Sequence, residues 1–139
     1  MLKGFEDAFT DLQSEFVSLC MEYTNGNVDK IYIYIYQDAS QKMFNAIFVK
    51  GKDVISAGNF ADDEASDEFL SIGTKDINKL VELCDKYQQK CPNEYKLEFD
   101  VATNKFDTSY RYDNYTKCGI SPVSELMSWY GEIKERINQ

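Results

Sequence analysis

Histidine is absent from this chain of 139 residues, which removes the side chain that most often serves as a general base or a metal ligand. The four cysteines, Cys20, Cys84, Cys91 and Cys118, form no Cys-x-x-Cys pair, so the usual spacing of a zinc site is missing as well. Neither a glycine-rich phosphate-binding motif nor a Gly-x-Ser-x-Gly motif occurs. We therefore expect a protein without catalytic activity, metal or cofactor.

Long apolar segments are lacking too. The longest unbroken run covers residues 31–36, whereas a membrane-spanning helix needs about 20 apolar residues. The first ten residues carry Glu6 and Asp7 among spaced phenylalanines and do not show the basic and then apolar pattern of a signal peptide. The sequence predicts a cytoplasmic protein that does not enter a membrane and keeps its cysteines reduced.

Basic residues are scarce relative to acidic ones. Fifteen Lys and Arg stand against 24 Asp and Glu, which gives a net charge of −9. A nucleic-acid-binding protein or one that docks on anionic lipid needs the opposite sign, so both are disfavoured. A charge of this sign suits solubility and rapid encounter with a basic protein partner. With only 2 prolines and 7 glycines there is little material for linkers, and residues 1–139 are expected to form a single domain.

The apolar spacing predicts an α+β fold with the order α-β-β-β-α-β-β-α, in which helices pack on an antiparallel sheet of about five strands. Helices are expected over residues 5–23, over 75–89 with Thr74 as N-cap, and after Ser121 with Pro122 in the first turn. Strands are expected over residues 30–37, 43–50, 54–57, 94–101 and 106–113.

The first predicted strand alternates Ile and Tyr, so both of its faces are apolar, as in a central strand. The isoleucines would lie under a helix. The tyrosines Tyr32, Tyr34 and Tyr36 have two interpretations, of which packing on the sheet is favoured over a protein-binding face.

Residues 59–67 show no clear period and predict an exposed acidic loop. A solvated loop is the default interpretation, but its density of carboxylates would also suit a cationic partner. Its acids, with the next residue included, are Asp62, Asp63, Glu64, Asp67 and Glu68.

The last hairpin places Glu98 or Asp100 across from Asp107 or Asp113 on its predicted solvent face. Paired carboxylates can divide acid and base roles. However, these residues alternate with apolar ones as on any solvated strand, and catalysis would need an enclosed pocket that the sequence does not indicate.

The run from Leu80 to Asp113 resembles the YezG-like immunity proteins of bacterial polymorphic toxin systems. The likeness lies in a helix followed by the alternating strand Glu94–Asp100, and then by a Lys-Phe motif at Lys105 that leads to an aromatic and acidic strand ending in Tyr-Asp. The early strand Lys30–Tyr36 after an N-terminal helix also fits. The family's tryptophans before its first and fourth strands have no equivalent, since the only tryptophan is Trp129.

The resemblance implies a cytoplasmic antitoxin that binds the toxic C-terminal domain of a secreted effector, often a nuclease. Such domains are commonly basic because they grip phosphates. The acids expected to bind this partner are Asp62, Asp63, Glu64, Asp67, Glu68, Glu98, Asp100, Asp107 and Asp113.

Three other functions stay open at this point. A small-molecule or peptide-binding module would have an aromatic cleft between helix and sheet. An enzyme that uses carboxylates with Tyr or Arg would show a deep pocket with perturbed carboxylates. A structural subunit of a larger assembly is the third.

Overall fold

The computed structural model describes residues 4–139, and its sheet has the strand order β3-β2-β1-β4-β5 with antiparallel pairing throughout. The elements follow one another as α1 (Phe5–Thr24), β1 (Lys30–Gln37), β2 (Lys42–Lys50), β3 (Asp53–Ser56), a 3-10 turn (Ala57–Asn59), α2 (Asp63–Lys86), β4 (Glu94–Asp100), β5 (Phe106–Arg111), α3 (Tyr115–Cys118) and α4 (Pro122–Ile137). The predicted α+β class, the five antiparallel strands and the order of the long elements are confirmed.

The central position predicted for β1 is also confirmed. It pairs with β2 on one side and with β4 on the other. Every residue from Ile31 to Gln37 is buried, because helices cover both faces of the strand. The sheet is therefore the middle of three layers, with helices on both sides of it.

The two faces of β1 have separate cores. Ile31, Ile33 and Ile35 are 0 % exposed and pack with side chains of α1 and α2. The tyrosine face is covered by α3 and α4, where Trp129 meets the edge of Tyr32 with ring centroids 5.7 Å apart. The interpretation of the tyrosines as packing residues is confirmed, since all three are buried.

The second helix is the main correction to the sequence analysis. It begins at Asp63 and not at Lys75, so residues 63–67 of the predicted acidic loop in fact form its first turns. Thr74 is not an N-cap, because its hydroxyl donates to the carbonyl of Leu70 inside the helix. Two small residues interrupt the apolar periodicity of this helix. Ser66 and Gly73 occupy buried positions of the helix, where a pattern search expects large apolar side chains.

The C-terminal helix begins as predicted, with the Ser121 side chain accepting a hydrogen bond from the N–H of Ser124 and Pro122 in the first turn. Its buried face was only partly anticipated, since Trp129 is buried while Val123 is 57 % exposed. The short helix α3 was missed. Asn114 caps it by accepting from the N–H of Lys117, and Gly119 ends it in the left-handed conformation at φ 71°.

Candidate protein-binding surface

The five acids predicted to lie in a loop occupy the N-cap and the first two turns of α2. Asp62 is the N-cap, and its carboxylate accepts a hydrogen bond of 2.8 Å from the N–H of Ala65. The positive end of the helix dipole favours carboxylates here, so the acids also have a local structural reason for their position. We call this set the α2 acids, namely Asp62, Asp63, Glu64, Asp67 and Glu68.

The α2 acids are all exposed, and within residues 4–139 none of them forms an ion pair with Lys or Arg. Basic residues are also missing from the neighbouring helix surfaces. Helix α1 contains no Lys or Arg, and the first basic residue of α2 is Lys75. In the part of the chain that the structure describes, the negative charge of this region is therefore not neutralised by an ion pair.

The helices α1 and α2 run antiparallel, which brings the end of α1 against the start of α2. Tyr23 stacks on Phe69 with ring centroids 4.2 Å apart, while Phe5 at the other end of α1 meets Tyr87 after α2. The hydroxyl of Tyr23 also donates to the carbonyl of Ala57 at 2.8 Å. The contact fixes the α2 acids next to the C-terminal end of α1.

A groove of about 220 Å³ lies at this junction. Its floor is apolar, and its rim carries the carboxylates of Glu22 and Glu68. Ile72 is 39 % exposed, which is unusual for a large apolar residue of this chain. We call it the acidic groove, lined by Leu19, Glu22, Tyr23, Ala65, Glu68, Phe69 and Ile72. The sequence analysis missed it, although the lack of any Lys or Arg between residues 5 and 29 was a signal.

The structure places Glu98, Asp100 and Asp107 on the opposite face of the sheet. Glu98 lies opposite Tyr32 on β1 and opposite Asp107 on β5, so all of these residues share the tyrosine face. They surround a polar cleft of about 260 Å³ that is also lined by Lys30, Lys105 and Arg136. The structure therefore does not bring these acids together with the α2 acids.

The acids of the last hairpin, Glu98, Asp100 and Asp107, each have a cation or backbone N–H groups beside the carboxylate. Glu98 lies 3.4 Å from Arg136, and Asp107 lies 3.8 Å from Lys105. Asp100 accepts hydrogen bonds from the N–H groups of the turn that follows it. Each charge is satisfied locally, and the opposed pair Glu98 and Asp107 has a cation beside each member.

Asp113 lies apart from both groups, beyond the other end of β5. Its carboxylate is 3.3 Å from Arg111, which also approaches Glu125 at 3.8 Å. The nine acids assigned to a partner surface thus fall into three places, and only the α2 acids form a dense group without neighbouring cations in the described part of the chain.

Glu94 corrects the prediction that one face of the hairpin is fully solvated. It is 2 % exposed, because α3 and α4 cover this end of the sheet. Its Oε2 accepts hydrogen bonds of 2.7 Å from the hydroxyls of Tyr34 and Tyr115. Burial, followed by the bond to Glu94, raises the pKa of both tyrosines above the ordinary value.

A second polar contact ties α3 to the end of β1. Burial alone would raise the pKa of Asp38. Hydrogen bonds from the hydroxyls of Thr116 and Tyr36, both at 2.6 Å, and from two backbone N–H groups nevertheless hold it below its usual range. Burial and the bond to Asp38 raise the pKa of Tyr36 to about 12. Both clusters tie α3 to the sheet.

The cysteines are free thiols in different environments. Cys20 and Cys84 are buried, and burial raises the pKa of Cys84 to about 12, far from the value of a reactive thiolate. Cys118 is exposed. Between Gly4 and Gln139, no group of three or more Cys, Asp or Glu side chains is arranged to hold a metal ion.

None of the helices in the described residues has the length and apolar character that crossing a membrane requires. No protein-family model matches this chain, and a search of curated proteins likewise finds no matching sequence.

Proposed function

We propose that this chain is an immunity protein, an antitoxin that binds and neutralises the toxic domain of a secreted bacterial effector and catalyses no reaction. The α2 acids carry this proposal. Five exposed carboxylates within seven residues, none of them in an ion pair within residues 4–139, are positioned to attract a positively charged protein.

The acidic groove adds apolar contact surface to the charge of the α2 acids. Steering by charge speeds encounter, whereas a stable complex depends on apolar anchors in a desolvated centre. The apolar floor of the groove lies directly beside the α2 acids, since Glu68 belongs to both. A basic segment of the partner with one apolar side chain would fit this combination.

The resemblance to YezG-like immunity proteins supports the choice of a toxin as the partner. We propose that the toxin is a basic domain, such as a nuclease, and that binding takes place in the cytoplasm. Contact with the toxin would cover its active site or the groove in which it holds nucleic acid. The immunity protein itself would contact neither nucleic acid nor membrane.

A small-molecule or peptide-binding module is the alternative that the sequence left open. Ligand pockets usually measure about 300–1,000 Å³ and bury most of the ligand. The acidic groove, at about 220 Å³, is smaller than that range. At this groove, size and an acidic rim favour a protein side chain over a whole small ligand. A cleft between helix and sheet, as the alternative requires, lies between Ile47 and Tyr130 and measures about 280 Å³, also below that range.

The test of this function is recovery of the tagged protein from its native host, followed by expression of the recovered partner's C-terminal domain. We expect a stoichiometric partner whose basic C-terminal domain stops growth when expressed alone, and we expect co-expression of this chain to restore growth. Recovery without a protein partner, or growth arrest that this chain does not relieve, would overturn the proposal.

The site within the proposed function is tested separately. A variant with Asp62→Asn, Asp63→Asn, Glu64→Gln, Asp67→Asn and Glu68→Gln removes the charge of the α2 acids and keeps an N-cap, because Asn caps as well as Asp. A control variant neutralises five exposed acids elsewhere, namely Asp53, Glu82, Asp85, Glu132 and Glu135. Only the first variant should lose protection against the toxin, and equal loss in both would mean that net charge alone matters.

A further inference from the structure

The strand β5 is an open edge of the sheet. The carbonyl of Lys105 accepts a hydrogen bond from the N–H of Asp100, the last residue of β4, so the odd-numbered residues of this strand face β4. In an antiparallel pair both backbone groups of a residue face the same neighbour, so the even-numbered residues face outward. Thr108, at the middle of the strand, is exposed, and no other strand within residues 4–139 pairs with this edge.

This edge has none of the usual steric blocks. It contains no proline, its register with β4 is continuous from Phe106 to Arg111, and it is six residues long, whereas β3 at the other edge has four. Proteins normally shorten, block or pair such edges, because the free backbone groups can add another strand. The charges of β5 are therefore the feature that decides which strand it can accept.

The charges alternate in sign along one side of the strand. Lys105, Asp107, Arg111 and Asp113 are spaced symmetrically about Ser109, in the order plus, minus, plus, minus. Asp107 and Arg111 belong to β5, whereas Lys105 directly precedes the strand and Asp113 lies two residues beyond it. Lys105 and Asp107 line the same cleft as Tyr32, and Asp113 lies 3.3 Å from Arg111, so the four charges lie on the tyrosine face of the sheet. A strand with this order is complementary in charge to an antiparallel copy of itself.

An antiparallel pair centred on Ser109 sets Asp107 opposite Arg111 of the second copy within β5, and it brings Lys105, just before the strand, opposite Asp113, just beyond it. On the other face it sets Phe106 opposite Tyr112 and Thr108 opposite Tyr110. Opposite charges and aromatic pairs directly across two strands are stabilising, and like charges are destabilising. The pair as a whole contains four attractive ion pairs, because each contact occurs twice.

The neighbouring registers are unfavourable. Outward-facing residues must oppose outward-facing residues, so the register can move only in steps that keep the even positions paired. Centring the pair on Thr108 sets Lys105 against Arg111 of the second copy, and centring it on Tyr110 sets Asp107 against Asp113. Either move places like charges opposite each other, so the charge order selects the register centred on Ser109.

We propose that two copies of this chain associate through β5 as an antiparallel pair centred on Ser109, which joins their five-stranded sheets into one. The inference is independent of the proposed toxin. The acidic groove adjoins Ala57, which follows β3 at the opposite edge of the sheet, so each copy keeps it accessible.

The test uses two variants that should each weaken the dimer alone and restore it when mixed. Lys105→Asp and Asp113→Lys each create two like-charge pairs in a homodimer, and both side chains are well exposed, at 73 % and 57 %. Sedimentation equilibrium should show a wild-type dimer and, for each variant, a dissociation constant raised about tenfold or more. An equimolar mixture of the variants restores opposite charges at both ends, so it should associate as the wild type does.

The mixture also controls for folding, since only folded chains can restore the pair. Lys52→Asp, an exposed change of the same charge in the turn before β3, should leave the dimer intact. A monomeric wild type, a mixture that does not recover, or equal weakening by Lys52→Asp would overturn the proposal.

Discussion

The hydroxyl of Tyr34 donates to Oε2 of Glu94 at 2.7 Å, and the hydroxyl of Tyr115 donates to the same oxygen at the same distance. Glu94 is 2 % exposed, so these two bonds replace water around a buried carboxylate. Because Tyr34 belongs to the central strand and Tyr115 to α3, the bonds fasten the C-terminal segment to the sheet.

Replacing Tyr34 with Phe should destabilise the protein. The change leaves Glu94 with one hydroxyl donor in place of two, and losing a partner of a buried charged group costs about 1–3 kcal/mol. Urea unfolding followed by circular dichroism measures the effect. Tyr112→Phe is the matched control, since Tyr112 is 47 % exposed and its change should be close to neutral. Equal effects of the two changes would mean that the bond to Glu94 does not matter for stability.

The buried tyrosines should make the fold sensitive to alkali. Burial raises the pKa of Tyr36 to about 12 and moves the pKa of Tyr34, Tyr95 and Tyr115 upward as well. A raised pKa in the folded state means that the stabilisation is complete below the ordinary value of 10.0 and is lost as the pH rises through the folded value.

The measurement is a titration of tyrosinate absorbance alongside circular dichroism. Ionisation of these four tyrosines should coincide with loss of secondary structure above pH 10.0, the ordinary tyrosine value. Complete ionisation of all ten tyrosines while the protein stays folded would contradict the packing of the tyrosine face.

Two glycine-to-alanine changes should shift the free energy of unfolding in opposite directions. A Cβ at Gly73 would overlap the ring of Phe44, which is only 4 % exposed and has little room to move. A Cβ at Gly131 would meet nothing within 4 Å on the exposed side of α4. Thermal or urea unfolding should show Gly131→Ala more stable by about 0.5–1 kcal/mol, from reduced freedom of the unfolded chain, and Gly73→Ala less stable than wild type. Stabilisation by Gly73→Ala would show that the ring is not held against the helix.

Much of the fold follows from regular apolar spacing. The alternation of Ile and Tyr predicted a strand buried on both faces, and Ser121 with Pro122 marked the start of α4. The first turns of α2 could not be predicted in this way, because Ser66 and Gly73 hold buried positions without being large or apolar. Position 73 favours glycine because the ring of Phe44, on β2, lies where a Cβ would be. That contact joins two distant parts of the chain, so the spacing within the helix does not reveal it.

The candidate surface was predictable only in part. The sequence singled out the α2 acids by their density, but it grouped them with Glu98, Asp100, Asp107 and Asp113, which the sheet places elsewhere. Separating the two sets requires knowing which acids have cations nearby, and pairs such as Glu98 with Arg136 join residues far apart in the chain. The acidic groove likewise depends on the antiparallel contact of α1 and α2.

The apolar floor of the groove should control how long the toxin stays bound. Ile72→Ala removes exposed apolar surface and leaves every charge in place. We expect the dissociation rate constant to rise by roughly tenfold or more, as for an apolar anchor, with little change in the association rate constant. Surface plasmon resonance separates the two constants. Val123→Ala, an exposed apolar residue on α4, is the control, and an equal change in both variants would argue against the groove.

The most direct test of the central claim is the association rate constant with the toxin domain, measured by stopped flow over a series of salt concentrations. If the α2 acids steer a basic partner, neutralising all five should slow association by roughly tenfold or more at low salt and flatten its salt dependence, since screening then has less attraction to remove. The control with five neutralised acids elsewhere should keep most of the wild-type rate and slope. An unchanged rate in the α2 variant would show that these acids are only a solvated surface.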